Sequence, residues 1–292
     1  MKQNALSLHS SAAGKTNLRT YINAAKSAGF DCIEPTKTQL NNFLNAGYKP
    51  ADIKKLLNGM EISAVGWLSD IERQGYAYVD MMKEAEQLFS MSAAVGSHAV
   101  EIINGPVDWH AVDCYQKGIP YNGYMGLQGL PKVEQQQLMI KNLQALADLA
   151  AQFNLILFFE PLCWTPVPSL KEGIPLVEKA ERDNLKIVID FYHNYISGLN
   201  SEYFSGINPS IILGVHVCNS REPSDCIPCE EIFRDIGFYE GSVPIQEWID
   251  TIKSTGFQGW WTYETFSKRE LEEDVYTFAK YVYAELKKLI YS

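Results

Sequence analysis

Eight short apolar segments, each followed by a helical segment, recur along this chain and constrain its fold more than any other feature. Apolar runs of this length, rich in β-branched residues, are typical of strands buried on both faces. Regular β-then-α alternation predicts parallel strands, and eight of them predict closure into an α/β fold of the TIM (β/α)8 barrel type. The predicted strands are 5–9, 30–34, 61–67, 99–103, 155–159, 185–189, 211–215 and 259–263.

An open, doubly wound sheet would show the same alternation, and it usually carries a glycine-rich turn that binds a nucleotide. The triplet Gly14-Lys15-Thr16 resembles part of a phosphate-binding loop. The glycine that such a loop requires five residues earlier is His9 here, so the sequence favours the closed barrel.

Helices are predicted between the strands by apolar spacing and by their end signals. Residues 132–153 carry apolar side chains on one helical face. The segment 169–182 begins at Ser169 with Glu172 three residues later, and 244–255 begins at a proline and ends before Gly256. Further helices are predicted at 18–28, 76–94 and 270–289.

The length of 292 residues suits one barrel domain that spans residues 1–292. Two long connections, residues 104–131 and 218–243, are expected to lie over the carboxyl-terminal face of the barrel. Connections this long are often lids over a site. A lid and a surface excursion packed by its own aromatic residues are equally compatible with the first segment.

Charge and composition exclude several classes of protein. The net charge is −10, and no run of lysine or arginine forms the basic patch that a nucleic-acid surface requires. No apolar run approaches 18 residues and no signal peptide is recognisable, so we expect no membrane segment. The six cysteines are scattered and predict a reducing, cytoplasmic environment. A homo-oligomer is compatible with the sequence.

Acidic and histidine side chains follow four consecutive predicted strands: Glu160, Asp190, His216 and Glu264. In a barrel these strand ends are neighbours on one rim, which is where such folds keep their chemistry. Three carboxylates and one imidazole would repel each other there without a cation. The oxygen-rich set predicts one divalent ion, and Mn²⁺, Mg²⁺, Co²⁺ and Zn²⁺ all remain candidates.

A divalent ion that binds a carbonyl and a neighbouring hydroxyl acidifies the carbon-bound proton between them. Glu160 and Glu264 are then the natural pair to remove and return that proton through an enediolate, with His193 as a hydrogen-bond donor. Return to the neighbouring carbon isomerises the substrate, return from the other face epimerises it, and loss of a β-hydroxyl dehydrates it.

The segments Phe-Phe-Glu160-Pro-Leu, Val-Ile-Asp190-Phe-Tyr-His193, Gly-Val-His216-Val and Thr-Tyr-Glu264-Thr-Phe resemble the sugar phosphate isomerase/epimerase family of xylose isomerase-like TIM barrels. Within that family the pattern is most similar to 2-keto-myo-inositol isomerases and inosose dehydratases. The resemblance implies that the four residues hold the metal. It also implies that Glu160 and Glu264 act as acid and base and that His193 contacts a substrate oxygen.

The substrate implied by this resemblance is a small ketose, inosose or related polyol, and the scarcity of basic residues favours an unphosphorylated one. Candidate substrate-binding residues are Arg234, which occupies the family's arginine position, its rival Arg221, and His9 and Trp67, which end predicted strands. The Pro-Gly that usually follows the family's arginine is absent. Position 166, a second glutamate in many ketose 3-epimerases, is Pro166, which lowers the expectation for that activity.

Two other classes of protein fit the sequence less well. AP endonucleases of the same superfamily assemble three zinc ions, and this chain lacks the additional histidine and aspartate ligands that they need. A non-catalytic sugar-binding barrel is less expected, because all four ligand positions are intact.

Overall fold

A computed structural model describes residues 1–292, in which eight parallel strands close into a barrel in chain order. Closure is shown by the first strand, where Leu8 lies opposite both Ile33 of the second strand and Tyr263 of the last. The predicted TIM barrel is therefore confirmed. The strands are β1 Leu6–His9, β2 Cys32–Glu34, β3 Glu61–Leu68, β4 Ser97–Ile103, β5 Ile156–Glu160, β6 Leu185–Asp190, β7 Ile212–Val217 and β8 Trp260–Tyr263.

Twelve helices surround the barrel or lie in its connections, together with three short 3₁₀ turns. The helices are α1 Leu18–Ala28, α2 Lys37–Asn45, α3 Pro50–Leu57, α4 Gly75–Val95, α5 Trp109–Lys117, α6 Lys132–Ala151, α7 Leu170–Ala180, α8 Phe191–Ile196, α9 Ser201–Ser205, α10 Glu230–Phe233, α11 Ile245–Ser254 and α12 Val275–Tyr291. The 3₁₀ turns are Ser11–Ala13, Pro209–Ile211 and Glu270–Glu272. None of the helices is long and apolar enough to cross a membrane.

Local end signals explain where several helices begin and end. Ser169 accepts a hydrogen bond from the N–H of Lys171 at the start of α7, as predicted for a cap. Its hydroxyl also donates to Glu172, so the reciprocal capping box is not formed. Gly29 ends α1 with a φ of 99°, a left-handed conformation that favours glycine.

The barrel interior has an apolar lower layer and a polar upper layer. Small inward side chains such as Ala64 and Ala99 leave room for two large aromatic rings, Phe158 and Trp260, which are fully buried and 5.8 Å apart. Gly214 permits this packing, because a Cβ there would lie 2.4 Å from the Trp260 ring. Above this layer, toward the carboxyl ends, inward positions carry polar and charged groups.

Four differences from the sequence-based prediction bear on the site. Residues 104–131 are not simply irregular, because Asp108 caps helix α5 within them. Helix α8 follows Asp190 at once, since that side chain caps it by accepting the N–H of His193. Strand β7 continues to Val217, so His216 lies inside the strand. The last helix begins at Val275, after a 3₁₀ turn, and not at residue 270.

Candidate metal and substrate site

The four residues predicted as metal ligands meet at the carboxyl end of the barrel. Glu160 and Asp190 are the last residues of β5 and β6, and Glu264 directly follows β8. Asp190 lies opposite His216 in the register between β6 and β7. One ligand atom from each of the four residues lies within 4.8 Å of all the others, a spacing compatible with one shared ion.

His216 sits at the centre of this cluster and presents its two nitrogens to different partners. Its Nδ1 lies 3.4 Å from Glu160 Oε1 and 3.5 Å from Glu264 Oε2, so Nδ1 is the atom that faces the ligand set. Its Nε2 lies 3.4 Å from Oε1 of Glu34, the last residue of β2. This arrangement is a carboxylate–histidine pair aimed at a metal position.

The charges of the cluster are not balanced by the protein. Burial disfavours an imidazolium, yet the charges of Glu34, Glu160 and Glu264 outweigh it and hold the pKa of His216 well above its usual range. Burial raises the pKa of Asp190 well above that of an ordinary carboxyl, against the charge of Arg234. Without an ion, His216 and Asp190 therefore hold protons. A bound cation would supply the positive charge in their place.

A divalent ion fits the donor set. Glu160 Oε1 and His216 Nδ1, which face each other within the ligand set, are buried and have no hydrogen-bond partner. Buried polar atoms without partners are rare and costly, so their convergence on one point marks a binding site. Three carboxylates and one imidazole suit Mn²⁺, Mg²⁺, Co²⁺ or Zn²⁺.

Asp190 is held by neighbours on both of its oxygens. Oδ1 accepts the N–H of His193 at 2.7 Å, and Oδ2 accepts the thiol of Cys218 at 3.3 Å. Arg234 Nη2 lies 3.6 Å from Oδ2. These contacts fix the orientation of the carboxylate before any ion binds.

His193 lines the cavity above the ligand cluster as a neutral hydrogen-bond donor. Its Nδ1 accepts the N–H of Cys163 at 3.1 Å, which assigns the proton to Nε2. Burial lowers the pKa of His193 to about 4, in spite of nearby carboxylates. The ring can thus offer an N–H to a substrate oxygen at neutral pH.

The two candidate arginines lie in different surroundings. Arg234 is buried, and it donates to Glu264 at 2.9 Å and to Glu230 at 2.7 Å. Arg221 is exposed and donates to two main-chain carbonyls of its own loop, those of Ile232 and Asp235. The structure therefore brings Arg234 to the cluster and places Arg221 away from the cavity, where it holds the 218–243 segment together.

Glu264 is ionised mainly because of Arg234. Burial opposes ionisation, but the charge of Arg234, with those of His9 and His216, holds the pKa of Glu264 well below its usual range. The pKa of Glu160 is also lowered, because His216 outweighs the effect of burial. Both carboxyls are therefore in the form that can accept a proton.

A cavity of about 310 Å³ opens above the cluster. Glu160 and Glu264 line the cavity. Asp190 and His216 do not, so they lie deeper in the barrel than the cavity surface. Segments 104–131 and 218–243 both contribute walls, through Val107 and Trp109 and through Glu230 and Glu231. The complete lining is Trp67, Glu101, Ile103, Val107, Trp109, Glu160, Leu162, Trp164, His193, Glu230, Glu231, Glu264 and Phe266.

The two remaining predicted substrate residues differ in position. Trp67 lines the cavity and is 43% exposed, so its ring is available to a ligand. His9 is buried beside the cluster, with its ring centroid 5.3 Å from that of His216, and it does not line the cavity. The N–H of Ser11 donates to His9 Nδ1, which assigns the His9 proton to Nε2.

Three acidic residues of the site were not predicted from the sequence. Glu34 ends β2 and follows the same rule as the four ligands, so the strand-end pattern could have found it. Glu101 is an acidic residue inside the apolar run of β4, which is itself a signal of an inward functional group. Glu230, whose pKa burial raises to about 7, begins the four-residue helix α10 within the 218–243 connection, and no sequence pattern indicates it.

The fold and the site define a (β/α)8-barrel protein with one buried carboxylate–histidine cluster at its carboxyl face. The family described as "Xylose isomerase-like TIM barrel" matches residues 22–282, and the chain belongs to this family. The family predicted from the motifs is thereby confirmed. No curated protein matches the sequence significantly.

Solved structures with the same fold are similar over nearly the whole chain. The IolI protein with a bound zinc atom superimposes with a TM-score of 0.82 at 16% identity, over 98% of each chain. An L-ribulose 3-epimerase gives 0.72 at 15% identity, over 100% of this chain and 95% of the other. AsbF from Bacillus anthracis, a probable 3-DHS dehydratase, gives 0.71 at 17% identity, over 97% and 98%. At these identities the similarity establishes the fold.

Proposed function

We propose that this protein is a divalent-metal-dependent isomerase or epimerase of a small ketose, inosose or related polyol. The observation that carries the proposal is the convergence of unpartnered, buried ligand atoms of Glu160 and His216 beneath a lined cavity. Such a cluster is expensive to keep in a folded protein unless it binds a cation. The family and the zinc-bound IolI structure support the same reading.

Glu160, Asp190, His216 and Glu264 would hold the ion. When bound, the ion would lower the pKa of a carbon-bound proton beside a coordinated carbonyl. The chain's own contribution is to place two ionised carboxylates, Glu160 and Glu264, at the surface of the cavity, where each can take or return a proton.

Two other groups would direct the reaction. His193 would donate its Nε2–H to the substrate oxygen on which negative charge develops, because its Nδ1 is already occupied by Cys163. Arg234 would keep Glu264 ionised and fixed through its 2.9 Å hydrogen bond. The aromatic walls formed by Trp67 and Trp109 would exclude water from the reacting carbon.

A dehydratase of the inosose type would use the same site, since removal of the same proton followed by loss of a β-hydroxyl is a dehydration. A solved structure with the same fold is described as a probable 3-DHS dehydratase, which supports this alternative. The direct experiment separates these outcomes. The protein is loaded in turn with Mn²⁺, Mg²⁺, Co²⁺ or Zn²⁺ and incubated in D₂O with ketoses, inososes and hydroxypyruvate, and the products are followed by NMR.

Deuterium on a carbon beside a carbonyl would establish proton transfer, and its position would separate isomerisation, epimerisation and dehydration. Glu264→Gln, which is nearly isosteric, is expected to lose at least ~10²-fold in exchange rate because it removes a proton acceptor. The control Glu178→Gln alters an exposed carboxylate on α7 and should exchange like the wild type. Full exchange by Glu264→Gln would exclude the two-carboxylate mechanism, and absence of bound metal would remove the proposal itself.

A further inference from the structure

Glu101 is a buried carboxyl group that the four-ligand set does not use. It lies in β4, where every second residue points into the barrel: Ala99, Glu101 and Ile103. Only 6% of the residue is exposed, yet it lines the cavity, and its polar neighbour there is the carboxyl group of Glu160. Two carboxyl groups placed side by side in a buried position disfavour each other's ionisation, so the retention of Glu101 needs a reason.

The neighbouring strand provides the space that this side chain occupies. A Cβ on Gly66 of β3 would lie 2.5 Å from Glu101 Oε2, closer than real Cβ contacts allow. Gly66 therefore gives Glu101 a place at the barrel interior. The carboxyl group of Glu101 faces the cavity beside Glu160, so it can contact a ligand bound there.

The charge of the cavity excludes one class of substrate. Five carboxyl groups line it, and no lysine or arginine does. The nearby guanidinium, Arg234, already donates from Nη1 to Glu230 and from Nη2 to Glu264. A phosphate or carboxylate on the substrate would enter a negative field without a protein cation to pair with.

The remaining walls suit a sugar. Three tryptophans and Phe266 offer aromatic faces to the apolar C–H faces of a polyhydroxylated ring or chain, and the volume of about 310 Å³ is at the small end of ligand cavities. Hydroxyl groups are then the donors that the substrate offers to the Glu101 carboxyl.

Resting on the proposed function, we infer that the substrate is an unphosphorylated, uncharged polyhydroxy ketone and that Glu101 accepts a hydrogen bond from one of its hydroxyl groups. Glu101 is thus a specificity-determining residue. It selects a donor on the substrate, while Glu231 at the wall repels anionic analogues.

The test measures binding separately from turnover. Manganese-loaded protein, freed of excess ion, is titrated by calorimetry with 2-keto-myo-inositol, D-fructose and D-fructose 6-phosphate. Wild type should bind at least one of the two uncharged ketones, and D-fructose 6-phosphate should bind at least ~10-fold more weakly than D-fructose. Glu101→Ala should weaken binding of the ketone by roughly 3- to 10-fold, since loss of one hydrogen bond typically costs that much.

Further variants separate recognition from folding. Glu101→Gln keeps the volume and an acceptor oxygen, so it should rescue part of the affinity that Glu101→Ala loses. Both variants should retain wild-type metal content, and Glu178→Gln should bind each ketone as the wild type does. A purely structural role would leave ketone affinity unchanged in the folded, metal-loaded Glu101 variants, which would overturn the inference.

The failures of the two proposals are distinguishable. Equal or tighter binding of D-fructose 6-phosphate, together with deuterium exchange on any ketone, would overturn the substrate class alone. Binding of none of the three compounds and exchange on none of the panel, with metal bound, would overturn the proposed function and this inference with it.

Discussion

Glu34 offers a sharp test of the proposed metal site, because it contacts the proposed ligand His216 and lies outside the proposed ligand set. Its Oε1 lies 3.4 Å from His216 Nε2, and neither of its oxygens has a hydrogen-bond partner. A carboxylate in this place fixes the imidazole with Nδ1 toward the ion and raises its strength as a ligand. Glu34→Gln keeps the size of the side chain and removes its charge.

Loss of such a carboxylate typically weakens metal binding by about 10- to 100-fold, which corresponds to about 1.4–2.8 kcal/mol. Because Glu34 is 1% exposed and His216 fully buried, solvent screens their interaction little, and we expect a value toward the upper end. Competitive titration with a chelator measures the Kd for Mn²⁺, and the absorption spectrum of bound Co²⁺ reports the geometry at the ion.

Folding of the metal-free variant is checked by urea unfolding beside the metal-free wild type, because Glu34→Gln removes the charge that faces the protonated His216 ring. A loss of affinity in a folded variant is then a property of the site. A Kd within twofold of wild type, with an unchanged Co²⁺ spectrum, would refute the role assigned to Glu34. Glu178→Gln serves as the matched control on an exposed helix.

Three further outcomes are expected. Asp190→Ala should lose bound metal on dialysis, as measured by elemental analysis, and unchanged metal content would remove Asp190 from the ligand set. Burial raises the pKa of Glu72 to about 7 from 4.5, so the folded protein holds a proton there that the unfolded chain releases. Its contribution to the free energy of unfolding is therefore fully present below about pH 4.5 and is lost as the pH rises to about 7. Relative to Glu72→Gln, wild type should lose roughly 2 kcal/mol over that window in urea titrations, and parallel pH profiles would contradict this. Gly214→Ala should cost about 1–3 kcal/mol in denaturant unfolding by crowding the Trp260 ring, whereas Gly206→Ala, whose Cβ would meet only the Tyr203 carbonyl at an ordinary 3.7 Å, should cost little.

The sequence predicted the barrel and its ligand cluster because both depend on short-range pattern. Apolar runs of parallel strands are visible directly, and residues that end such runs necessarily share one rim. Glu101 escaped this rule because it lies within β4, where only the alternation of inward and outward positions reveals its direction. The partnership of Arg234 with Glu230 and Glu264 could not be predicted, since it depends on how the irregular 218–243 segment folds back over the barrel.

Helix α5 was missed for a related reason. Its cap, Asp108, stands in a segment whose glycines and prolines otherwise indicate irregular structure, and the helix is only nine residues long. Arg221 resembled a ligand-binding residue by its distance from His216 along the chain. In the folded protein it points to carbonyls of its own loop, because main-chain geometry and not sequence distance decides what a loop side chain meets.

The two aromatic rings at the base of the barrel have a consequence for how the protein is loaded. Phe158 lies edge-on to the His216 ring at 6.2 Å and, with Trp260, closes the barrel beneath the ligand cluster. A metal ion must therefore enter and leave through the cavity at the carboxyl face, which the substrate also uses. We expect ordered binding, in which the ion binds before the substrate. Bound substrate should then block the exit of the ion and slow its transfer to a chelator.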